Sequence, residues 1–245
     1  MVSKNQIKLI TSLEQKKFRQ KNKLFIAEGV KVIQELLLSN FELEHLYVTE
    51  PIFDELDKKH ITVISESDLK KISCLTTPNN CLAVFKMADE KPIAKTGLII
   101  ALDDIRDPGN LGTIIRLCDW YGVSQIVCSE QSVDLYNPKV VQATMGSLAR
   151  VNVSYVNLAD YLSTTNQTVF GTFMNGKNVY KENLPSDGIL VLGNEANGIS
   201  KEVEKTIFER LSIPRFGNIK KTESLNVATA AAVFLSEFKR AEVKF

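Results

Sequence analysis

Gly188-Ile-Leu-Val-Leu-Gly-Asn-Glu-Ala-Asn-Gly-Ile-Ser200 decides the fold, together with its sequel from Leu211-Ser-Ile-Pro-Arg-Phe216 to Ser224-Leu-Asn-Val-Ala-Thr-Ala-Ala-Ala-Val233. Ile189 to Leu192 is an unbroken apolar run, as expected of a strand buried on both faces of a parallel sheet. It stops at Gly193, where Asn194, Glu195 and Asn197 crowd between two glycines. A polar loop at the carboxyl end of a buried strand is where open α/β sheets place their ligands. The sequel repeats the pattern of strand, polar loop and helix, with Ser224 as the expected N-cap of a helix rich in small residues. Two ligand-facing loops so close in sequence point to one site.

Upstream, the same βα alternation runs from Leu98 onward. Leu98 to Leu102 reads as a buried strand and Asp107-Pro-Gly-Asn110 as a turn. Leu111 to Trp120 reads as a helix with Leu111, Ile114, Ile115 and Cys118 on its apolar face and Arg116 off that stripe. Gln125 to Cys128 is the next strand. Asn137-Pro138 opens a helix expected to run to about Leu148. Val151 to Val156, Asp160 to Leu162 and Val169 to Phe173 then give strand, helix and strand. This alternation predicts a mostly parallel sheet covered on both faces.

Residues 24–88 read as a separate, smaller α/β unit. Its expected elements are a helix over Ala27 to Leu38, a strand over Leu43 to Val48, a short helix over Ile52 to Lys59 and a strand over Ile61 to Ile64. A helix capped by Ser67 and a strand over Cys81 to Phe85 complete it. The polar, Pro-containing stretch 89–97 is the expected linker, with the larger domain spanning 98–245. Residues 1–23 form a basic arm: Lys4, Lys8, Lys16, Lys17, Arg19, Lys21 and Lys23 stand against Glu14 alone, in a chain whose net charge is only +1. Such an arm suits the phosphates of a nucleic acid, and equally a solvated helix face.

Several function classes are excluded by what is missing. The four cysteines form no C-x-x-C pair and the two histidines lack metal-binding spacing, so no zinc site is expected. No secretory signal opens the chain and no uncharged run approaches the ~20 residues of a membrane helix, so a soluble, cytoplasmic protein with reduced thiols is expected. There is no phosphate-binding G-x-x-x-x-G-K-[ST] loop and no G-x-G-x-x-G after a strand. Neither histidine falls in the larger unit, which disfavours a Ser-His-Asp hydrolase. Amide, carboxylate and guanidinium groups remain, and these suit recognition and orientation.

Taken singly, Asn110 and Arg116 read as a turn amide and a surface guanidinium, Glu195 as a solvated acid, and Ser224 and Asn226 as early-helix polar residues. In combination they resemble the SpoU/TrmH group of RNA ribose 2′-O-methyltransferases in the SPOUT superfamily. Three ordered blocks carry the match: Asp107-Pro-Gly-Asn-Leu-Gly-Thr-Ile-Ile-Arg116, Leu192-Gly-Asn-Glu-Ala-Asn-Gly-Ile-Ser200, and Ile213-Pro214 with Ser224-Leu-Asn-Val-Ala228. Lys23-Leu-Phe-Ile-Ala-Glu-Gly-Val30 looks like the start of the small substrate-binding domain of that group.

The resemblance implies a SPOUT domain with a deep trefoil knot in its C-terminal segment, preceded by a small α/β domain that binds RNA. It implies S-adenosylmethionine as cofactor, held by Thr172, Leu192, Gly193, Ile213 and Leu225, and a homodimer whose active site is shared across the interface. The catalytic set it implies is Asn110, Arg116, Glu195, Ser224 and Asn226. Arg116 is expected to clamp a phosphate or ribose oxygen, since a guanidinium holds its proton too tightly to serve well as a base. RNA contacts are expected from Lys16, Lys17, Arg19, Lys21 and Lys23. Lys220 and Lys221, in a loop longer than the commonest one of the group, are expected to add to them. The expected substrate is ribosomal RNA rather than transfer RNA. The alternatives are a non-catalytic RNA-binding protein of the same fold that assists ribosome assembly, and a generic nucleotide-binding α/β enzyme.

Overall fold

The computed structural model describes residues 2–53, 55–217, 224–240 and 242. They fall into two units, one of residues up to Asp89 with Asp134–Ala149, the other of Glu90–Val133 with the remainder from Arg150.

In the first unit, four strands, β1 (Leu24–Glu28), β2 (Leu43–Val48), β3 (Ile61–Val63) and β4 (Cys81–Lys86), form a sheet in the order β1-β4-β2-β3. β4 pairs antiparallel with both β1 and β2, and β2 pairs parallel with β3. Helices α1 (Lys4–Ser12), α2 (Lys16–Asn22), α3 (Val30–Leu37) and α4 (Glu66–Ile72) complete this part of the chain. Ser3 and Gln6 close a capping box on α1. Val2, Ile10 and Leu13 are buried in one cluster with Leu24, Ile26, Leu69 and Leu82. The N-terminal segment expected as a separate arm is therefore part of the core of this unit.

Arg19 changes role accordingly. Its side chain is 2% exposed, with Nε donating to Asp134 Oδ2 (3.0 Å) and Nη1 to the carbonyls of Leu13 and Glu14 (both 2.8 Å). Arg19 is withdrawn from solvent and cannot join an RNA-binding surface. It ties the turn between α1 and α2 to the segment that opens α6 (Pro138–Thr144). Lys16, Lys17, Lys21 and Lys23 are exposed, whereas Lys220 and Lys221 lie outside the described residues.

Four expectations are corrected here. Residues 24–28 form a strand buried along its whole length, and the helix starts only at Val30 behind Gly29. Ile52 to Lys59 forms no α-helix among its described residues. Ile52, Phe53 and Leu56 are only half-buried, so no docked apolar face supports one, and a 3-10 turn over Lys58–His60 follows instead. The cap of α4 is Ser65, whose hydroxyl accepts from Asp68 N. Finally, α6 ends at Thr144 because Met145 and Gly146 take left-handed backbone angles. A Cβ on Gly146 would lie 2.4 Å from Cβ of Glu35, so only glycine permits that approach of α3.

The second unit is a six-stranded sheet whose neighbours all run parallel. Its strands are β5 (Leu98–Leu102), β6 (Gln125–Ser129), β7 (Asn152–Val156), β8 (Val169–Asn178), β9 (Gly188–Leu192) and β10 (Glu209–Ser212), in the order β10-β8-β9-β5-β6-β7. β5, β6 and β9 are buried along their whole length, as their apolar runs predict. The helices are α5 (Pro108–Trp120), α7 (Leu158–Thr164), α8 (Lys201–Glu204) and α9 (Val227–Arg240), with α5 packed on α9. Residues of the expected linker are tied into this unit, Ala94 N donating to Gln125 Oε1 and Gly97 N to Asp187 Oδ2. From β5 the sheet grows one way through β6 and β7, and the other way through β9, β8 and β10. The order reverses between β5 and β9, and ligands of open α/β sheets bind outside the carboxyl ends of strands at such a reversal.

All four cysteines are free, and Cys81, Cys118 and Cys128 are buried. Burial pushes the Cys81 thiol up to about 11 and the half-buried Cys74 up to about 12. No helix among the described residues is long and apolar enough to cross a membrane.

Candidate active site

Two loops meet at the reversal. The first leaves β5 through Asp103 and Asp104, the latter in the left-handed region at φ 57°. It enters α5 at Asp107, whose carboxylate caps the helix by accepting from Asn110 N at 2.8 Å. Pro108 follows at the first helical position, where its missing N–H costs nothing. The loop thus places Asn110 in the first turn of α5.

The second loop leaves β9 at Gly193 and is closed on itself, Asn194 N donating to Gly198 O and Gly198 N to Asn194 O (3.0 and 2.8 Å). A Cβ on Gly193 would stand 2.3 Å from the backbone of Gly198 and Ile199, which restricts that position to glycine. Asn194 Oδ1 accepts from Ala196 N and Asn197 N, while its Nδ2 donates to Asp104 O at 2.8 Å. Asp103 Oδ2 accepts from Ser200 N at 2.7 Å. These two links fasten the loops together and hold Glu195 at their junction.

Glu195 Oε1 accepts three N–H groups: Asn110 Nδ2 (2.7 Å), Asn226 Nδ2 (2.8 Å) and Val227 N (3.3 Å). Asn226 Nδ2 also donates to Asn110 Oδ1 at 2.9 Å, which closes a triangle of side chains 31 to 116 residues apart in sequence. The amide of Asn226 is thereby fully used, because its Oδ1 accepts from Ala228 N and Thr229 N. Asn226, rather than the expected Ser224, is the N-cap of α9. Glu195 Oε2 makes no hydrogen bond among the described residues, and the side chain is exposed.

The remaining expected residues divide. Leu192 with Gly193, and Ile213, sit at the carboxyl ends of β9 and β10, and Thr172 follows the last residue of the adjacent β8 that pairs with β9. Arg210 pairs with Gly171 but Leu211 with Lys177, so Thr172 lies in a bulge of β8, its hydroxyl donating to Val191 O at 3.1 Å. Leu192 is buried, Ile213 half-buried and Leu225 46% exposed. Ser224 is exposed and joins no hydrogen bond among the described residues. Arg116 is likewise exposed, without hydrogen bond or ion pair among them. Six residues after Asn110, it projects roughly 120° around the helix axis from that amide. The structure brings Asn110, Glu195 and Asn226 together and leaves Arg116 and Ser224 outside their network. Asn194, Asp103 and Asp107, which fix the geometry, were not among the expected site residues. Their signal was present as turn and cap residue types on either side of the motif positions.

Against known proteins, residues 97–236 match the model of the SpoU rRNA Methylase family, a span that contains both loops and the start of α9. The chain belongs to that family. Residues 4–83 match the MRM3-like substrate binding domain. Among relatives of this family member, the 23S rRNA (guanosine(2553)-2′-O)-methyltransferase RlmP of Bacillus subtilis is 30% identical over 241 residues, covering 95% of this chain and 96% of that protein. A protein of the TrmH family of RNA methyltransferases from Porphyromonas gingivalis superposes with a TM-score of 0.89 at 39% identity, over 98% of this chain and 99% of the other. The AdoMet-bound rRNA methyltransferase of Sinorhizobium meliloti superposes with a TM-score of 0.88 at 27% identity, over 100% of this chain and 98% of the other.

Proposed function

We propose that this SpoU family member transfers a methyl group from S-adenosylmethionine to a ribose 2′-hydroxyl of ribosomal RNA, as a homodimer. The observation that carries the reading is the Asn110–Glu195–Asn226 triangle at the reversal of strand order. The expected cofactor residues fit an adenosine-bearing ligand: none of the five carries a charge, three are apolar, and Thr172 and Gly193 add a hydroxyl and main-chain groups. The bound cofactor supplies a methyl group made electrophilic by a sulfonium. The trefoil knot expected of the C-terminal segment is part of this reading, and residues 218–223 of that segment lie outside the described residues.

The work of the protein is alignment and charge. Transfer to oxygen is an in-line displacement, so holding the ribose oxygen on the methyl–sulfur axis supplies most of the help. Asn226 spends its hydrogen-bonding capacity on Glu195, Asn110 and the start of α9, so it braces the site instead of touching ribose. Asn110 keeps one amide proton, and Glu195 keeps Oε2, for a ribose or base group. Arg116, exposed and unengaged among the described residues, serves the site of the second protomer. There its guanidinium stabilises the charge that develops as the hydroxyl loses its proton. The first unit, with exposed Lys16, Lys17, Lys21 and Lys23, grips phosphates in a salt-sensitive way.

Purified Arg116→Ala and Glu195→Gln proteins test this reading. Both are expected to bind S-adenosylmethionine by calorimetry as the unaltered chain does. Methyl incorporation into unmodified ribosomal RNA is expected to fall about 100-fold or more, the scale of losing one transition-state contact. Full activity in Arg116→Ala, with cofactor binding and dimer intact, overturns its assignment. RNA binding without any methyl incorporation by the unaltered chain supports the non-catalytic alternative.

A further inference from the structure

Beyond the methyl-transfer site, the second unit carries an aromatic pair that no packing among the described residues explains. Tyr180 and Phe216 face each other with ring centroids 6.3 Å apart and planes at 37°. Phe216 is 82% exposed and Tyr180 40%. Among the described residues, every other contacting ring pair has at least one ring that is half-buried or buried. The two rings come from different segments. Tyr180 lies in the 3-10 turn Val179–Lys181 that follows β8, its N–H held by Asn178 Oδ1 at 3.0 Å, and α9 packs against that turn. Phe216 lies three residues after Ile213, in the segment that leaves β10. β8 and β10 pair up to Asn178 and Ser212, so both rings emerge from the same edge of the sheet as the expected cofactor wall.

Each ring has a cation beside it in sequence, as Tyr180-Lys181 and Arg215-Phe216. Lys181 is exposed and enters no ion pair among the described residues. An aromatic face flanked by cations is the chemistry of an unstacked nucleotide, whose base lies on the ring while its phosphate meets the charge. A second copy of the chain is the rival occupant, and the test below separates it from RNA. We infer that Tyr180 and Phe216 form a stacking platform for an unpaired nucleotide of the RNA substrate, held at the mouth of the methyl-transfer site. The inference rests on the RNA-modifying reading above and adds to it the site that keeps the target strand open.

The test uses the full-length protein and a ten-residue oligouridylate carrying one 2-aminopurine, whose fluorescence falls when it stacks. The unaltered chain is expected to bind and quench it. Phe216→Ala and Tyr180→Ala should each weaken binding by roughly 5- to 150-fold, the range for losing one base–aromatic stack. Phe216→Trp should restore both affinity and quenching. With unmodified ribosomal RNA as substrate, the alanine variants should raise KM while leaving kcat at saturation and cofactor affinity in place. An oligonucleotide affinity unchanged in the double alanine variant, or an unaltered chain that does not bind the probe, overturns the platform. So does a shift from dimer to monomer on sedimentation at constant probe affinity, which gives the patch to a second copy. Methyl transfer that survives these outcomes leaves the proposed reaction standing. A quenched probe with no methyl transfer by the unaltered chain does the opposite, keeping the platform and removing the reaction.

Discussion

At the scale of single residues, the site turns on amides that hold other groups. Asn194 is the sharpest case, since one side chain both closes its own loop and fastens it to Asp104 O. Asn194→Asp keeps the two accepting contacts and loses the donated one. We expect it to fold normally and to lower kcat/KM by about 10-fold, because a shift of about 1 Å in a positioning group is enough for a loss of that order or larger. A steady-state assay with a kcat/KM equal to the parent would show that the link to Asp104 is dispensable. Away from the site, Glu28 is 5% exposed, and burial holds its carboxyl above the ordinary range despite hydrogen bonds from Ser73 Oγ and Cys74 N. A folded-state value raised above the unfolded one means that the folded chain binds the proton more tightly. The stabilisation from neutral Glu28 is therefore present below about 4.5 and lost as pH rises through the folded value. Glu28→Gln should flatten that part of the stability–pH curve in denaturant titrations. An unchanged slope would mean the carboxyl is better solvated than its burial indicates.

At the scale of elements, the parallel sheet was readable because burial on both faces leaves an unmistakable mark. The apolar runs at 98–102, 126–128 and 189–192 all lie in fully buried strands. The start of α3 was misread at Ala27, because β1 runs directly into an amphipathic helix and apolar periodicity alone cannot locate the change of element at Gly29. The first turn of α9 shows the same limit. Ser224 and Asn226 are both acceptable caps by residue type, and the tertiary network that occupies Asn226 decides between them. The role of Arg19 was out of reach for a related reason, since its partner Asp134 is 115 residues away. Removing that guanidinium leaves a largely buried carboxylate and two carbonyls without their donor. Arg19→Ala should cost about 3–5 kcal/mol in chemical denaturation. A loss below 1 kcal/mol would place the clamp among ordinary surface pairs.

At the scale of the whole molecule, the SpoU blocks were legible because they mark backbone necessities as well as chemistry: a glycine where no Cβ fits, a capping aspartate, and a carboxylate that collects three N–H donors. The proposed completion of the site by Arg116 of a second protomer is a claim about the assembly, and it is tested there. In a shared site, mixing Arg116→Ala protomers with Asn110→Ala protomers gives heterodimers with one intact site in two. Random exchange should then restore about a quarter of parental activity from two inactive proteins. No recovery, with exchange verified by mass, would put Arg116 to work within its own chain.

The central claim is met most directly by incubating the protein with methyl-labelled S-adenosylmethionine and unmodified ribosomal RNA, then digesting the RNA to nucleosides. The account predicts label in a ribose 2′-O-methyl nucleoside, and its loss in Glu195→Gln. Label on a base, or an RNA that stays unlabelled under conditions where the cofactor binds, would contradict it.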